Sequence, residues 1–236
     1  MRLELERGFV LHSRPYRDSS LLVEFFSRER GRISLVTRGA KGRRTRGGSL
    51  AALLQVFNPV ACSWYGRGEL KTLTACESLG RSFRLAGARL YSGLYVNELL
   101  VRMLHHEDPH QRLFEEYRRA LEALQADGDE ETVLRRFEFA LLEELGYGFD
   151  LEIDGLSGDP VQADRWYDYH RDYGLVLAAG VGECRPRYKG ADIKQFGAGR
   201  TSDAARRCAK RLMRQALSGH LGDRPLKSRE LFRPPS

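Results

Sequence analysis

The hydrophobic period changes near residue 85, and this change constrains the fold more than any other feature. Before it, apolar residues recur at alternate positions in short runs; after it they recur at i, i+3 and i+4. Residues 5–78 therefore read as strands. In SLLVEFFSRERGRISLVTRG, two β-rich runs are joined by Ser-Arg-Glu-Arg-Gly, with Gly31 available for a positive φ. VFNPVACSWYGRGELKTLTACES repeats the pattern around Gly66-Arg-Gly68. With LERGFVLHSR in front, these make five short strands. Closing them into a small barrel of the OB type would remove exposed edges.

Beyond residue 85, Leu90, Leu94, Leu99 and Leu104 with Tyr91, Tyr95 and Met103 mark one helix, which Pro109 ends. Leu113, Phe114, Tyr117, Leu121 and Leu124 mark a second. Val133, Leu134, Phe137, Leu141, Leu142 and Leu145 mark a third, with Gly146 placed to close it. Short connections predict a bundle. GYGFDLEIDGLSGDPV is rich in turn residues, RWYDYHRDYGLVLAAG reads as a hairpin around Asp172-Tyr173-Gly174, and Ser202 or Asp203 caps a last helix. The expected class is α+β, with an OB-fold β-barrel over residues 1–80 and an α-helical bundle domain over 81–236. The second part includes a loop and hairpin insertion at about 147–200 and a small C-terminal hairpin and basic-helix region.

Charge is unevenly spread. The chain carries a formal net charge of +7, but residues 1–80 hold +7, residues 81–200 hold −6 and residues 201–236 hold +6. Cationic ends around an acidic middle favour an anionic partner, a nucleic acid or an acidic peptide. The most cationic stretch is TRGAKGRRTRGG, Thr37 to Gly48, with five cations and four glycines. Its glycines let backbone N–H groups approach phosphates, and each neutralised phosphate releases counterions. The candidate DNA contacts are Arg14, Arg38, Lys41, Arg43, Arg44, Arg46, Arg67 and Lys71, with Arg206, Arg207 and Lys210 on the last helix. Tyr16, Trp64 and Tyr65 either stack on bases or pack within the barrel.

Signals for catalysis are missing. There is no GxxxxGK[ST], no GxGxxG after a strand and no GxSxG, so the expectation is a protein that is not an enzyme and uses no cofactor. His105-His106-Glu107-Asp108-Pro109-His110 resembles a metal cluster, but adjacent helical histidines point about 100° apart. It reads better as a polar helix end. Cys62, Cys76, Cys184 and Cys208 are scattered with no CxxC pair, and no apolar run is long enough to span a membrane. The plain expectation is a reduced, cytoplasmic protein, and DNA binding would make it nucleoid-associated.

Several passages together resemble the RecO family of bacterial recombination mediators: GFVLHSRPYRDSSLLVEFFSRERGRISLVTRGAKG, GRGELKTLTACE, LYSGLYVNELLVRML, LRRFEFALLEELGYG and RPLKSRELFR. They run in order over nearly the whole chain and are most similar to gammaproteobacterial members. The resemblance implies a non-enzymatic protein that binds single- and double-stranded DNA and anneals complementary strands. It also implies work with RecR to load RecA onto DNA covered by single-stranded-DNA-binding protein (SSB), and recognition of the acidic, Phe-terminated SSB tail. Arg135, Arg136 and Phe137 are the candidates for that tail. A protein-interaction scaffold for the tail, with incidental DNA contact, is the alternative. Many family members carry a four-cysteine zinc module after the GYG segment, but here DLEIDGLSGDPV has no cysteine, so no structural zinc is expected.

Overall fold

The structure is a computed structural model that describes residues 5–17, 19–39, 44–45, 48–126, 128–179, 186–200, 202–222 and 224–232. Of residues 44, 45, 48, 229 and 232 only the backbone is described. It divides into two compact units, residues 1–128 with 225–236, and residues 129–224.

In the first unit, strands β1 (Glu6–Tyr16), β2 (Ser20–Ser27), β3 (Gly31–Thr37), β6 (Pro59–Tyr65) and β7 (Leu70–Ser78) form a closed barrel in the order β1-β2-β3-β7-β6. β3 and β7 run parallel and the other pairs antiparallel. Between β3 and β6 the chain adds a two-residue pair, β4 (Arg44–Thr45) and β5 (Gly48–Ser49), and a single helical turn, α1 (Leu50–Leu53). Alternate residues point inward: Leu21, Val23 and Phe25 on β2, Ile33 and Leu35 on β3, and Val60, Cys62 and Trp64 on β6 form one core with Leu50, Leu53 and Leu54.

The outside of the barrel is covered too. Phe9 and Phe26 face away from that core and meet Phe114, at 5.2 and 5.5 Å between ring centroids, and Tyr117, at 5.2 and 6.2 Å. Helices α2 (Ala88–Met103) and α3 (Gln111–Gln125) supply this cover. Tyr117 is buried, and its hydroxyl donates to Asn97, whose amide donates to the Leu11 carbonyl. That chain of hydrogen bonds satisfies polar groups that would otherwise be costly inside. The expected boundary near residue 80 thus lies inside the first unit.

The histidine-rich connection between α2 and α3 completes a sheet edge. β7 begins only opposite Ser34, and the lower part of β3 is met instead by His106, which forms a parallel bridge with Arg32. The Glu107 N–H donates to the Arg32 carbonyl, and the Arg32 Nε donates to the Leu104 carbonyl. Gly31, at φ +67°, allows this approach, because a Cβ there would lie 1.8 Å from the Asp108 carbonyl oxygen. Finally the 3₁₀ segment Lys227–Phe232 returns to α2. The Glu98 carboxylate accepts the N–H groups of Lys227 and Ser228 and the Ser228 hydroxyl. Burial alone would raise the Glu98 carboxyl, but these three donors hold it below its ordinary value.

The second unit contains α4 (Glu130–Glu144), a three-stranded sheet in the order β10-β8-β9 (β8 Trp166–His170, β9 Gly174–Leu177, β10 Arg187–Lys189), α5 (Gly190–Gly197) and α6 (Asp203–Leu221). The expected hairpin is β8–β9, and Ser202 caps α6 by accepting the Ala205 N–H. The helices marked in the sequence are divided between the units: α2 and α3 belong to the first, α4 to the second.

The cysteine-free loop before β8 is held by one side chain. Asp154, 4% exposed, accepts N–H bonds from Leu156 and Ser157 on one oxygen and from Leu177 of edge strand β9 on the other. Burial alone would raise the Asp154 carboxyl, yet those N–H donors hold it below the ordinary value.

Candidate nucleic-acid interface

The strand register brings three connections to one rim of the barrel. Tyr16 pairs with Ser20 across the β1–β2 turn, and Leu21, next in line, pairs with Thr37 at the end of β3. Val36 pairs with Thr72, which in turn pairs with Tyr65 at the β6–β7 turn. Residues 16–17 and 19–20, the chain leaving β3 and residues 65–70 therefore meet there. This rim is where OB barrels form grooves for single strands.

Of the sequence candidates, Arg14, Arg38 and Arg67 are exposed on this side of the barrel. Tyr65 is 48% exposed and Tyr16 is half-buried. Lys41, Arg43 and Arg46 lie outside the described residues, and of Arg44 only the backbone is described, paired with Ser49. Two candidates are corrected. Trp64, 2% exposed, points into the barrel edge-on to Phe25, 6.0 Å between centroids, so it cannot stack on a base. Lys71 is 6% exposed and ion-paired with Glu107, so the α2–α3 connection takes its charge. Sequence reasoning missed Arg17. It is exposed, takes φ +53° and stands over the Tyr16 ring at 5.3 Å.

The basic helix α6 is also corrected in part. Arg206 pairs with Asp129 at 3.5 Å and Lys210 with Glu131 at 2.8 Å, so α4 neutralises two of the three candidates there. Arg207 is exposed. Arg211 and Arg214, one and two turns further along the same face, are exposed as well, and the Arg211 guanidinium donates to the Arg187 carbonyl.

The tail-binding candidates separate. Arg135 and Arg136 line a shallow, open pocket together with Arg200, Arg206, Phe196, Ala205 and Ala209. Phe137 does not line it; on the other side of α4 it is 2% exposed and packs in the core. Arg135 is ion-paired at 2.7 Å with the buried Glu138, while its Nε is buried without a hydrogen-bond acceptor. Gly199, at φ +70°, gives Arg136 room, because a Cβ there would lie 2.7 Å from the guanidinium Nη2. Phe196 and Arg200 could not be found from the sequence, since α5 and its exit carry only a short apolar pattern.

Among the described residues no group of three or more His, Cys, Asp or Glu side chains could hold a metal, and no helix is long and apolar enough to cross a membrane. Cys62, Cys76 and Cys208 are buried free thiols, and Cys184 lies outside the described residues. Cys62 and Cys76 face each other across β6 and β7.

Fold and rim define an OB-barrel protein extended by helices, a scaffold whose loops and one sheet face suit single-stranded nucleic acid. Comparison with known proteins narrows this. The family model for the N-terminal part of recombination protein O matches residues 1–81, and that for its C-terminal part matches residues 84–230. The DNA repair protein RecO of Haemophilus influenzae (strain 86-028NP) is 43% identical over 233 residues, covering 98% of this chain and 97% of its own. Its counterpart in Halorhodospira halophila is 46% identical over 230 residues, covering 96% and 95%. That of Sodalis glossinidius is 44% identical over 230 residues, covering 97% and 86%. The chain belongs to the RecO family, and its role lies in DNA repair and recombination.

Proposed function

We propose that this chain is a non-catalytic recombination mediator that binds single- and double-stranded DNA through the barrel rim and anneals complementary strands. The observation that carries this reading is the convergence of Arg14, Tyr16, Arg38, Tyr65 and Arg67 on one rim of a closed OB-type barrel. Cations neutralise phosphates and exposed aromatic faces accept bases of any sequence, the combination that single-strand binding needs. Annealing requires no nucleotide hydrolysis, which agrees with a sequence that has no phosphate-binding P-loop.

The arginine pocket of the second unit supports a second ligand. Arg136 and Arg200 offer charge beside the apolar surfaces of Phe196, Ala205 and Ala209, which suits an acidic peptide ending in an aromatic residue. We assign this pocket to the SSB tail. Work with RecR, and loading of RecA on SSB-coated strands, complete the proposal by family likeness; a cytoplasmic, nucleoid-associated site of action goes with it. The scaffold alternative, peptide binding with incidental DNA contact, is favoured only by this same pocket.

Annealing of complementary oligonucleotides, bare and coated with SSB that has or lacks its tail, tests both parts. Accelerated annealing that on coated strands depends on the tail is expected. Tight peptide binding without any annealing would favour the scaffold, and no binding to either ligand would end the proposal.

A further inference from the structure

The β1–β2 turn holds a pair of residues that charge counting passes over. Tyr16 ends β1, half-buried, and Arg17 follows in the left-handed region at φ +53°. A side chain with a Cβ is disfavoured there, so such residues persist where the surroundings enforce them and cluster at functional sites. The conformation turns the Arg17 side chain back over the strand it leaves, and its guanidinium carbon stands 5.3 Å from the Tyr16 ring centroid. Among the described residues Arg17 forms no ion pair with a carboxylate. Both residues sit on the rim where the β3 exit and the 65–70 turn converge.

We propose that Tyr16 and Arg17 form a nucleobase clamp, in which the phenol ring and the guanidinium plane hold one unstacked base of a bound single strand. The proposal rests on the rim being the DNA site, but it is more specific. The cations around it read phosphates, whereas this pair responds to the presence of a base. To admit a base, the guanidinium moves outward from its position 5.3 Å above the ring, and its N–H groups can then reach the flanking phosphate. Arg17 is therefore a positioning residue for the stacked ring as well as a charge.

The test compares an oligothymidine with an abasic strand of equal length. Affinities are measured by fluorescence anisotropy at two salt concentrations for the unaltered chain, Tyr16→Leu and Arg17→Gly. Glycine suits the left-handed position, so Arg17→Gly preserves the turn while removing the guanidinium, and thermal melting checks folding of both variants. Expected is a loss of roughly 5- to 100-fold for Tyr16→Leu on the base-bearing strand and almost none on the abasic one. Arg17→Gly should show the same selectivity, with a salt slope reduced by no more than about 1. Equal losses on both strands, or none on either, would overturn the clamp while leaving the rim as a phosphate site. Failure of the unaltered chain to bind either strand would overturn the DNA reading itself, and the clamp with it.

Discussion

The barrel rim and the outer face of α6 carry the same sequence signature, a cluster of arginines and lysines, yet they differ in what those charges do. On the rim, Arg14, Arg38 and Arg67 are exposed and no carboxylate pairs with them among the described residues. On α6, Arg206 and Lys210 are held by Asp129 and Glu131 at the start of α4. Exposed ion pairs add little stability, but each one cancels a charge that a phosphate would otherwise meet. What decides whether a basic segment can bind DNA is the acidic residues folded against it, and those come from elsewhere in the sequence.

Breaking the rim should have the largest effect. Replacing Arg14, Arg38 and Arg67 together with serine is expected to weaken single-strand binding about 100-fold and to flatten the plot of log affinity against log salt by roughly 2–3. Anisotropy titrations across a salt series read both quantities, and an unchanged slope would remove the rim from the DNA site. Next comes the arginine pocket. Arg136→Glu should lower affinity for an acidic, Phe-terminated peptide about 10- to 100-fold while oligonucleotide binding stays within about threefold, as calorimetry can show.

The acidic residues of the second unit supply structure, and Asp154→Asn should expose that. Losing the carboxylate that accepts three backbone N–H groups is expected to cost about 1–3 kcal/mol in urea unfolding followed by a probe in that unit. The sign with pH follows from the depressed folded value. Asp154 contributes fully above about pH 4, and its contribution is lost as pH falls through the lower folded value. The variant should therefore lose less stability on acidification than the unaltered chain. The smallest effect sharpens the comparison most. Asp129→Asn with Glu131→Gln removes two carboxylate charges from beside the α6 face, and should raise DNA affinity about 2- to 5-fold at low salt. No gain would show that the α6 face never meets DNA.

The barrel was legible because its strands alternate and its turns use glycine where the backbone demands it, as at Gly31. The same alternation bears on the aromatic candidates: Val60, Cys62 and Trp64 share one face of β6, so Trp64 and Tyr65 cannot both look outward. Partners distant in sequence were not legible. Lys71 loses its charge to Glu107, and His106 substitutes for a strand beside Arg32; both follow from how the α2–α3 connection docks, which local pattern does not encode. The pocket was half legible. LRRFE gives Arg135 and Arg136, but α5 folds Phe196 beside them and turns Phe137 into the core. Arg17 escaped because its importance lies in a backbone angle, and nothing in the residue type announces a positive φ.

The strap from Lys227 to Phe232, tied to α2 by Glu98, has a consequence for the order of events at the ribosome. The unit that contains the barrel begins first and is completed last, because its closing segment is synthesised after every residue of the second unit. The first unit therefore cannot be completed during synthesis of its own N-terminal part, a departure from the usual progression from the N-terminus. Throughout synthesis the first unit thus stays unsealed, with the α2 surface around Glu98 uncovered until residues 225–232 have left the ribosome.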